Sequence, residues 1–372
     1  MSEPNARIRT LAVSACRSLI MKALFLAGGT GTRLWPLSRQ KKPKQLHSLV
    51  GKQSLITQTI DRMAPIIKPE DIWIVTSQNY AEQIAYHSPG VPREQIIGEP
   101  SALGTCLAVG LGLLHIARKF ADATVVVGWS DAYIGKQKEF HQALELARRL
   151  AEDVAGVILA VPPTYAATGY GYIESGNKIA GHDGCFEIVR FEEKPLQSRA
   201  AELINSGRHF WNPGISVWRV SKLLELIETY APDHFVALQK VNEAIGEPNE
   251  QVCIIESFTD LDPISIDNAI FEKADRLATI PVDLDWNDIG SWAAVYDVQA
   301  NDSKNVTLGA VVTIDTESSL IFSQKKLIAT LGVSDLVIVE TEDAILVMHK
   351  DQTERMKEVY DAVKEYGGLK YL

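Results

Sequence analysis

Cysteine is scarce in this chain. Its four residues, Cys16, Cys106, Cys185 and Cys253, stand far apart and form no C-x-x-C pair. Such spacing supports neither a disulfide framework nor a structural zinc site, and it suits a reducing compartment, so we expect a cytoplasmic protein. Long apolar runs are also missing. No stretch approaches the ~18–20 residues that span a bilayer, and no membrane partner is expected. Positive charge is in deficit: 37 Lys and Arg face 47 Asp and Glu, for a formal net charge of -10. General nucleic-acid binding needs the opposite balance, because it neutralises phosphates, so no nucleic-acid partner is expected. Any phosphate chemistry must use a local cluster of cations. Low-complexity linkers are absent, and we find no repeat at a solenoid period.

What is present is ordinary globular material. The chain has 372 residues, 46% apolar and 23% charged. That is enough for a large domain and a smaller appendage. Residues 1–20 read as an N-terminal extension. Arg7 and Arg9 precede Leu11–Cys16, a faint likeness to a signal peptide, but the apolar run falls short of the ~7–15 residues of an h-region. Either the extension is unstructured or the true start is Met21.

From Met21 the pattern alternates. Compact apolar runs at Lys22–Ala27, Ile72–Thr76, Thr124–Gly128 and Gly156–Val161 predict buried strands. Helical periodicity falls between them at Leu55–Met63, Thr105–Phe120 and Phe140–Ala151. This rhythm predicts βαβ units in a Rossmann-like, mostly parallel mixed sheet, with ligands at the carboxyl ends of the strands. Short strands follow at Tyr170–Glu174, Phe186–Phe191 and Phe210–Trp218, then helices at Lys222–Tyr230, Phe235–Ile245 and Asp267–Ala274. After about Asn301, five short strands between Gly309 and His349 and a helix over Gln352–Tyr366 predict a small β-rich C-terminal domain. We thus expect an extension over 1–20, a catalytic domain over 21–300 and the β-rich domain over 301–372, with the last a candidate surface for a homodimer.

The richest segment is Leu26-Ala27-Gly28-Gly29-Thr30-Gly31-Thr32-Arg33. Glycines directly after a strand let backbone amides approach phosphate oxygens closely. Arg33 adds a planar fork suited to phosphates, and Lys44 a compact point charge. The segment is neither a Walker loop nor G-x-G-x-x-G. Farther on, Asp131 ends a buried apolar run, and Asp288 lies in the turn Trp286–Trp292 before a helix. Each has a plain structural reading, as a strand-end residue or a helix cap. Together the two carboxylates suit one Mg²⁺, which prefers carboxylate and phosphate oxygens.

The string G-G-x-G-T-R-L-x-P-L-S-x-x-x-x-P-K-Q, from Gly28 to Gln45, resembles the N-terminal signature of the sugar nucleotidylyltransferases. Trp286–Trp292 matches that family's W-x-D-x-G-[ST]-W. Asp131 sits in a partial match, with Trp129 and Ala132 where members usually carry proline and histidine. Phe191–Pro195 matches F-x-E-K-P, which implies that Lys194 binds the sugar phosphate. Gly169–Glu174 resembles the sugar-binding G-Y-G-Y-I-E and implies roles for Gly171 and Glu174. Trp211–Ile215 resembles a turn of the mannose enzymes and implies sugar contacts by Asn212 and Gly214. Ser265–Lys273 also resembles that branch, although Asp267 there has the alternative reading of a helix cap. Glu99–Thr105 resembles in part the loop that faces the nucleotide, implicating Glu99, Gly104 and Thr105, with Leu103 and Gly104 departing from the mannose pattern.

The resemblance implies a nucleotidyltransferase/glycosyltransferase-A-like fold. It implies Mg²⁺-assisted guanylyl transfer from GTP to mannose 1-phosphate, with Arg33, Lys44, Asp131, Lys194 and Asp288 catalytic and Asp131 and Asp288 on the metal. Another base or hexose 1-phosphate, or a non-catalytic sugar-nucleotide-binding homologue, stays open at this point.

Overall fold

The computed structural model describes residues 21–100, 104–300 and 305–372. The expected extension over 1–20, Leu103, and the start of the expected C-terminal domain at Asn301 lie outside these. Elements run in the order β1 (Lys22–Ala27), α1 (Leu55–Met63), β2 (Ile72–Ser77), α2 (Ala81–Tyr86), β3 (Ile96–Glu99), α3 (Thr105–Lys119), β4 (Thr124–Trp129), β5 (Tyr133–Ile134), α4 (Gln137–Leu150) and β6 (Gly156–Ala160). Then come β7 (Tyr172–Lys178), β8 (Phe186–Glu192), α5 (Gln197–Asn205), β9 (His209–Trp211), β10 (Ser216–Arg219), α6 (Val220–Tyr230), α7 (Pro232–Ala244) and α8 (Glu250–Phe258). The chain continues through β11 (Leu277–Pro281), β12 (Trp286–Asn287) and α9 (Trp292–Gln299). It ends with β13 (Val306–Leu308), β14 (Val311–Ile314), β15 (Leu320–Ser323), β16 (Ile328–Leu331), β17 (Leu336–Glu340), β18 (Ile345–His349) and α10 (Met356–Glu365).

The main sheet has ten strands in the order β3-β2-β1-β4-β10-β6-β11-β8-β7-β9. Strands β1, β2, β3, β4, β6, β7 and β11 share one direction, while β8, β9 and β10 run against them. Alternation along β1 explains why it reads as one apolar run. Ala23, Phe25 and Ala27 enter the core on one face, and Leu24 and Leu26 enter the core on the other. A strand covered by helices on both faces has no polar side to show.

Helix α1 begins where Ser54 accepts a hydrogen bond from the Thr57 amide, a standard N-cap. It buries Leu55, Ile56, Thr59, Ile60 and Met63 on one stripe, and Pro65 follows its end. Its packing places it beside the carboxyl end of β4.

The C-terminal region corrects one expectation. Strands β13, β15 and β17 stack in parallel, and β14 stacks in parallel on β16. Successive rungs therefore do repeat, in solenoid fashion. The repeat escapes notice because its rungs differ in length: Val306 pairs with Leu320, and Leu320 with Val337. Three further elements differ from expectation. The run expected as one strand over Phe210–Trp218 is two, β9 and β10, because the turn at 212–215 interrupts it and sends β10 to pair with β4. Asp267–Phe271 is a single π-helical turn, and a 3-10 stretch over Lys350–Arg355 precedes α10.

The stacked rungs share one core with the first turn of the chain. Leu34, Trp35, Leu49, Ile289 and Trp292 pack with Val306, Leu320, Val337, Val339, Leu346 and Met356. The Trp292 indole donates to the Trp35 carbonyl at 3.0 Å, and the Trp35 indole to the Tyr371 carbonyl at 2.8 Å. Arg39 adds a two-pronged pair to Asp343.

Candidate active site

Strand β1 delivers the glycine loop to the carboxyl edge of the sheet. Its last carbonyl, of Ala27, accepts from Gln45 Nε2 at 2.7 Å and Thr76 Oγ1 at 2.8 Å, which anchors the base of the loop. Beyond it Gly28 and Gly29 are exposed, Thr30 and Thr32 half-buried, and Arg33 exposed. Gly31 has φ 65°, and a Cβ there would lie 2.7 Å from Lys44 Cβ. The loop thus closes onto Lys44 as only glycine permits.

Lys44 is the hub. Its side chain is buried, and Nζ donates to Asp131 Oδ2 at 2.9 Å and to the Asp288 carbonyl at 2.5 Å. One cation therefore ties together the loop after β1, the end of β4 and the turn after β12. Asp288 Oδ1 in turn accepts from the Tyr170 phenol at 3.0 Å and from the Gly290 amide at 3.1 Å. Burial and the Asp288 charge hold the phenol well above its ordinary pKa, so it stays a donor. Between Asp288 and Gly290 stands Ile289, fully buried at φ 48°. A β-branched residue in that region is strained, and its place in the core shared with the C-terminal rungs holds it there.

A cavity of about 310 Å³ opens here, lined by Gly28, Lys44, Asp131, Asp288 and, from the opposite wall, Gly171, Lys194, Asn212 and Gly214. Asn212 is oriented at both ends: Nδ2 donates to Asp267 Oδ1 at 3.0 Å, and Oδ1 accepts from the Gly214 amide at 2.9 Å. Gly214 has φ 71°, and a Cβ there would collide with the Trp129 indole. Trp129 thus packs onto the turn that carries Asn212 and Gly214. Burial, with the Glu193 charge second, pushes the Asp267 carboxyl up to about 7. Lys194 stands at φ 45° and pairs with Glu193 at 2.6 Å.

Not every candidate meets in this cavity. Glu174 lies on β7 outside the cavity lining, and its carboxylate pairs with Arg208 at 3.2 Å. Glu99 ends β3 beside Ser77, and burial raises its carboxyl to about 8. Gly104 and Thr105 pack on the 264–266 segment, where Thr105 Oγ1 accepts from the Ile266 amide at 2.8 Å. Of the loop, Gly28 lines the cavity, whereas Leu26, Ala27, Gly29, Thr30, Gly31, Thr32 and Arg33 are not among its lining residues. The sequence reading missed Tyr170, Glu193 and Trp286 as lining residues. The signal for each was its place in a quoted motif: Tyr170 in Gly169–Glu174, Glu193 in Phe191–Pro195 and Trp286 in Trp286–Trp292. A larger cleft, about 620 Å³, lies along β3 and contains none of the loop residues.

A glycine loop at the carboxyl edge of an α/β sheet, beside a buried lysine and two carboxylates, is an arrangement suited to phosphate-bearing substrates. The family model for nucleotidyl transferases matches residues 22–305, and the model for the MannoseP isomerase/GMP-like beta-helix domain matches residues 309–363. The chain belongs to the nucleotidyl transferase family and is an enzyme of that class. It is 34% identical over 352 residues to the alginate biosynthesis protein AlgA of Pseudomonas aeruginosa, covering 91% of this chain and 71% of the relative. It is 33% identical over 356 residues to a mannose-1-phosphate guanylyltransferase of Escherichia coli, covering 94% and 75%. A solved structure of a mannose-1-phosphate geranyltransferase from Thermus thermophilus superposes with TM-score 0.84 at 31% identity, covering 92% of this chain and 99% of that one. Among the described residues, no helix is long and apolar enough to cross a membrane.

Proposed function

We propose that this enzyme transfers a guanylyl group from GTP to mannose 1-phosphate, giving GDP-mannose and pyrophosphate. The observation that carries the reading is Lys44, which bridges Asp131 and the Asp288 turn in the same cavity as the Asn212–Gly214 turn and Lys194. The names of the relatives support the choice of sugar and base.

A phosphate oxygen of mannose 1-phosphate attacks the α-phosphorus of GTP, and the bond from that phosphorus to the bridging oxygen breaks. In this reading Arg33 and the amides from Gly28 to Thr32 grip the departing pyrophosphate. Lys44 neutralises charge around the α-phosphate. Lys194 holds the sugar phosphate, and Asn212 reads the sugar hydroxyls, with Asp267 orienting its amide. Positioning and charge stabilisation carry such reactions, since no protein atom needs to be alkylated or phosphorylated.

The donor set fits Mg²⁺. Asp131 Oδ1 and Asp288 Oδ2 receive no hydrogen bond from the described residues, and no cage of three or more His, Cys, Asp or Glu exists among them. Mg²⁺ commonly takes one or two carboxylates and completes its shell with water and substrate phosphates. When bound, it would screen charge between the two substrates and assist departure of pyrophosphate. We place the reaction in the cytoplasm, in keeping with Cys106, Cys185 and Cys253, which are all free thiols. We also propose a homodimer through the C-terminal rungs, where Ile314 and Leu331 are cross-strand partners and both more than half exposed.

The test is pyrophosphate release with Mg²⁺ and mannose 1-phosphate, run with GTP, ATP, UTP, CTP and dTTP, and in parallel with glucose 1-phosphate. Turnover confined to GTP with mannose 1-phosphate is expected. Preference for another pair would reassign the specificity, and no turnover by folded protein would make the chain a sugar-nucleotide-binding homologue.

A further inference from the structure

Helix α1 lies against the loop that carries Asp131, and one side chain on its buried stripe is out of keeping with the others. Arg62, 7% exposed, sits among Ile56, Ile60 and Met63. Burying a guanidinium costs several kcal/mol of desolvation. Burial draws this one down to about 10, so it keeps its proton at neutral pH. Among the described residues, no carboxylate pairs with it. Instead its Nη2 donates to the Ala132 carbonyl at 3.0 Å. A methionine would fill much of this space without desolvating a charge, so the directed bond is what distinguishes the arginine.

The bond has a particular place in the site. One turn earlier on α1, Thr59 Oγ1 lies 3.3 Å from the Ser130 carbonyl, sharing its proton with the Leu55 carbonyl. The Ser130 amide donates to the Leu26 carbonyl at 3.1 Å. The carbonyls on both sides of Asp131 are therefore held by one helix face, at positions three residues apart. Ala132 also leads directly into β5. There Tyr133 and Ile134 pair with Asn287 and Trp286 of β12, and Asp288 is the next residue. The tie at Ala132 is thus adjacent to Asp131 in the chain and one ladder rung from the residue before Asp288.

We propose that Arg62, assisted by Thr59, is a positioning residue that sets the spacing of the Asp131 and Asp288 carboxylates for a divalent cation. This rests on the function proposed above. Arg62 reaches neither carboxylate by a hydrogen bond. It acts through the Ala132 carbonyl and the β5–β12 ladder. With the tie released, the two carboxylates would keep their chemistry and lose their fixed separation. The cation would then bind more weakly, while substrate contacts made by Lys194 and Asn212 would persist.

The experiment compares the wild-type chain with R62M and R62K by two readouts. The first is amide hydrogen exchange in metal-free protein, over peptides covering 130–134 and 286–288, with β6 as an internal control. The second is the Mg²⁺ concentration for half-maximal turnover, measured alongside the KM of each substrate. For R62M we expect faster exchange in both peptides and none in β6, and a rise of about tenfold or more in the half-saturating Mg²⁺, as for the loss of a group that orients metal ligands. Substrate KM values should move less, and R62K should recover part of the loss. Unchanged exchange in both peptides overturns the proposal. So does faster exchange with unchanged Mg²⁺ dependence, which would make Arg62 a packing residue. If R62M does not fold, T59V decides: a rise of about threefold is expected for one neutral hydrogen bond, and no change overturns it. Absence of turnover in wild-type protein would defeat the proposed function, whereas the exchange comparison would still judge the tie.

Discussion

The Tyr170 phenol donates to Asp288 Oδ1 at 3.0 Å, so an aromatic wall of the cavity directly orients one of its carboxylates. The Tyr170 ring packs edge-on against Trp211 and Trp286, with centroids 5.1 and 5.2 Å away, which fixes the direction of the hydroxyl. Tyr170→Phe keeps that packing and removes the donor. Stability should fall by about 1 kcal/mol, the net worth of one hydrogen bond. Turnover should fall about tenfold, with a higher Mg²⁺ requirement. Steady-state kinetics over a Mg²⁺ series checks this, and wild-type behaviour would show that the Gly290 amide alone orients Asp288.

Lys44 joins three segments at one ammonium. Lys44→Met keeps much of its stem and removes the charge. We expect kcat to drop on the order of 10²-fold or more, as for loss of one preorganised charge-stabilising donor. The drop in kcat should exceed the change in either KM. Pyrophosphate release by protein shown to be folded by circular dichroism makes the measurement, and a variant changed only in KM would remove Lys44 from the chemical step.

Asp267 supplies a pH dependence. Its carboxyl, near 7 when folded, lies above the ordinary value of about 3.9. The folded state therefore binds a proton that the unfolded state releases between these values. The stabilisation is complete at about pH 4 and drains away as pH rises through about 7. Asp267→Asn removes this dependence while keeping an acceptor for Asn212 Nδ2. The Tm of the variant relative to wild type should be higher at pH 8 than at pH 5. A pH-independent difference between the two melting curves would refute the assignment.

Leu320 lies in the stacked rungs yet shares a core with Leu34 and Ile289. Leu320→Ala should cost about 2–5 kcal/mol, the range for cavities of this kind. Because that core reaches the loop after β1 and the strained Asp288 turn, activity should fall as well. Urea unfolding followed by tryptophan fluorescence and by far-ultraviolet circular dichroism should give one coincident transition. Two separate transitions, with activity retained through the first, would mean that the rungs are an independent unit.

Much of the site was legible because it is local. The stretch from Leu26 to Lys44 is the end of one strand and the short irregular segment that follows it, so residue order already implies proximity. Asp131 and Asp288 were legible as types, each marked by a strand or turn beside it. Glu174 was not, because its carboxylate is taken by Arg208 from the segment before β9, a pairing that no local motif shows. Tyr170 and Arg62 were not either. Their partners lie 118 and 70 residues away, and no periodicity connects residues across such distances.

The same division holds for the fold. The α/β alternation up to β6 follows from burial on both faces of each strand, which writes apolar runs of strand length into the sequence. The rungs were legible as strands but not as a stack, since unequal spacing hides a repeat that only pairing reveals. By itself the sequence determined the glycine loop, the cationic charge beside it and the two carboxylates. Tertiary structure decided how these meet: Lys44 between two loops, Asp288 under Tyr170, and a strained Ile289 held by a core from the far end of the chain. Contacts of that kind depend on which surfaces pack together, and packing is a property of the whole chain rather than of any segment.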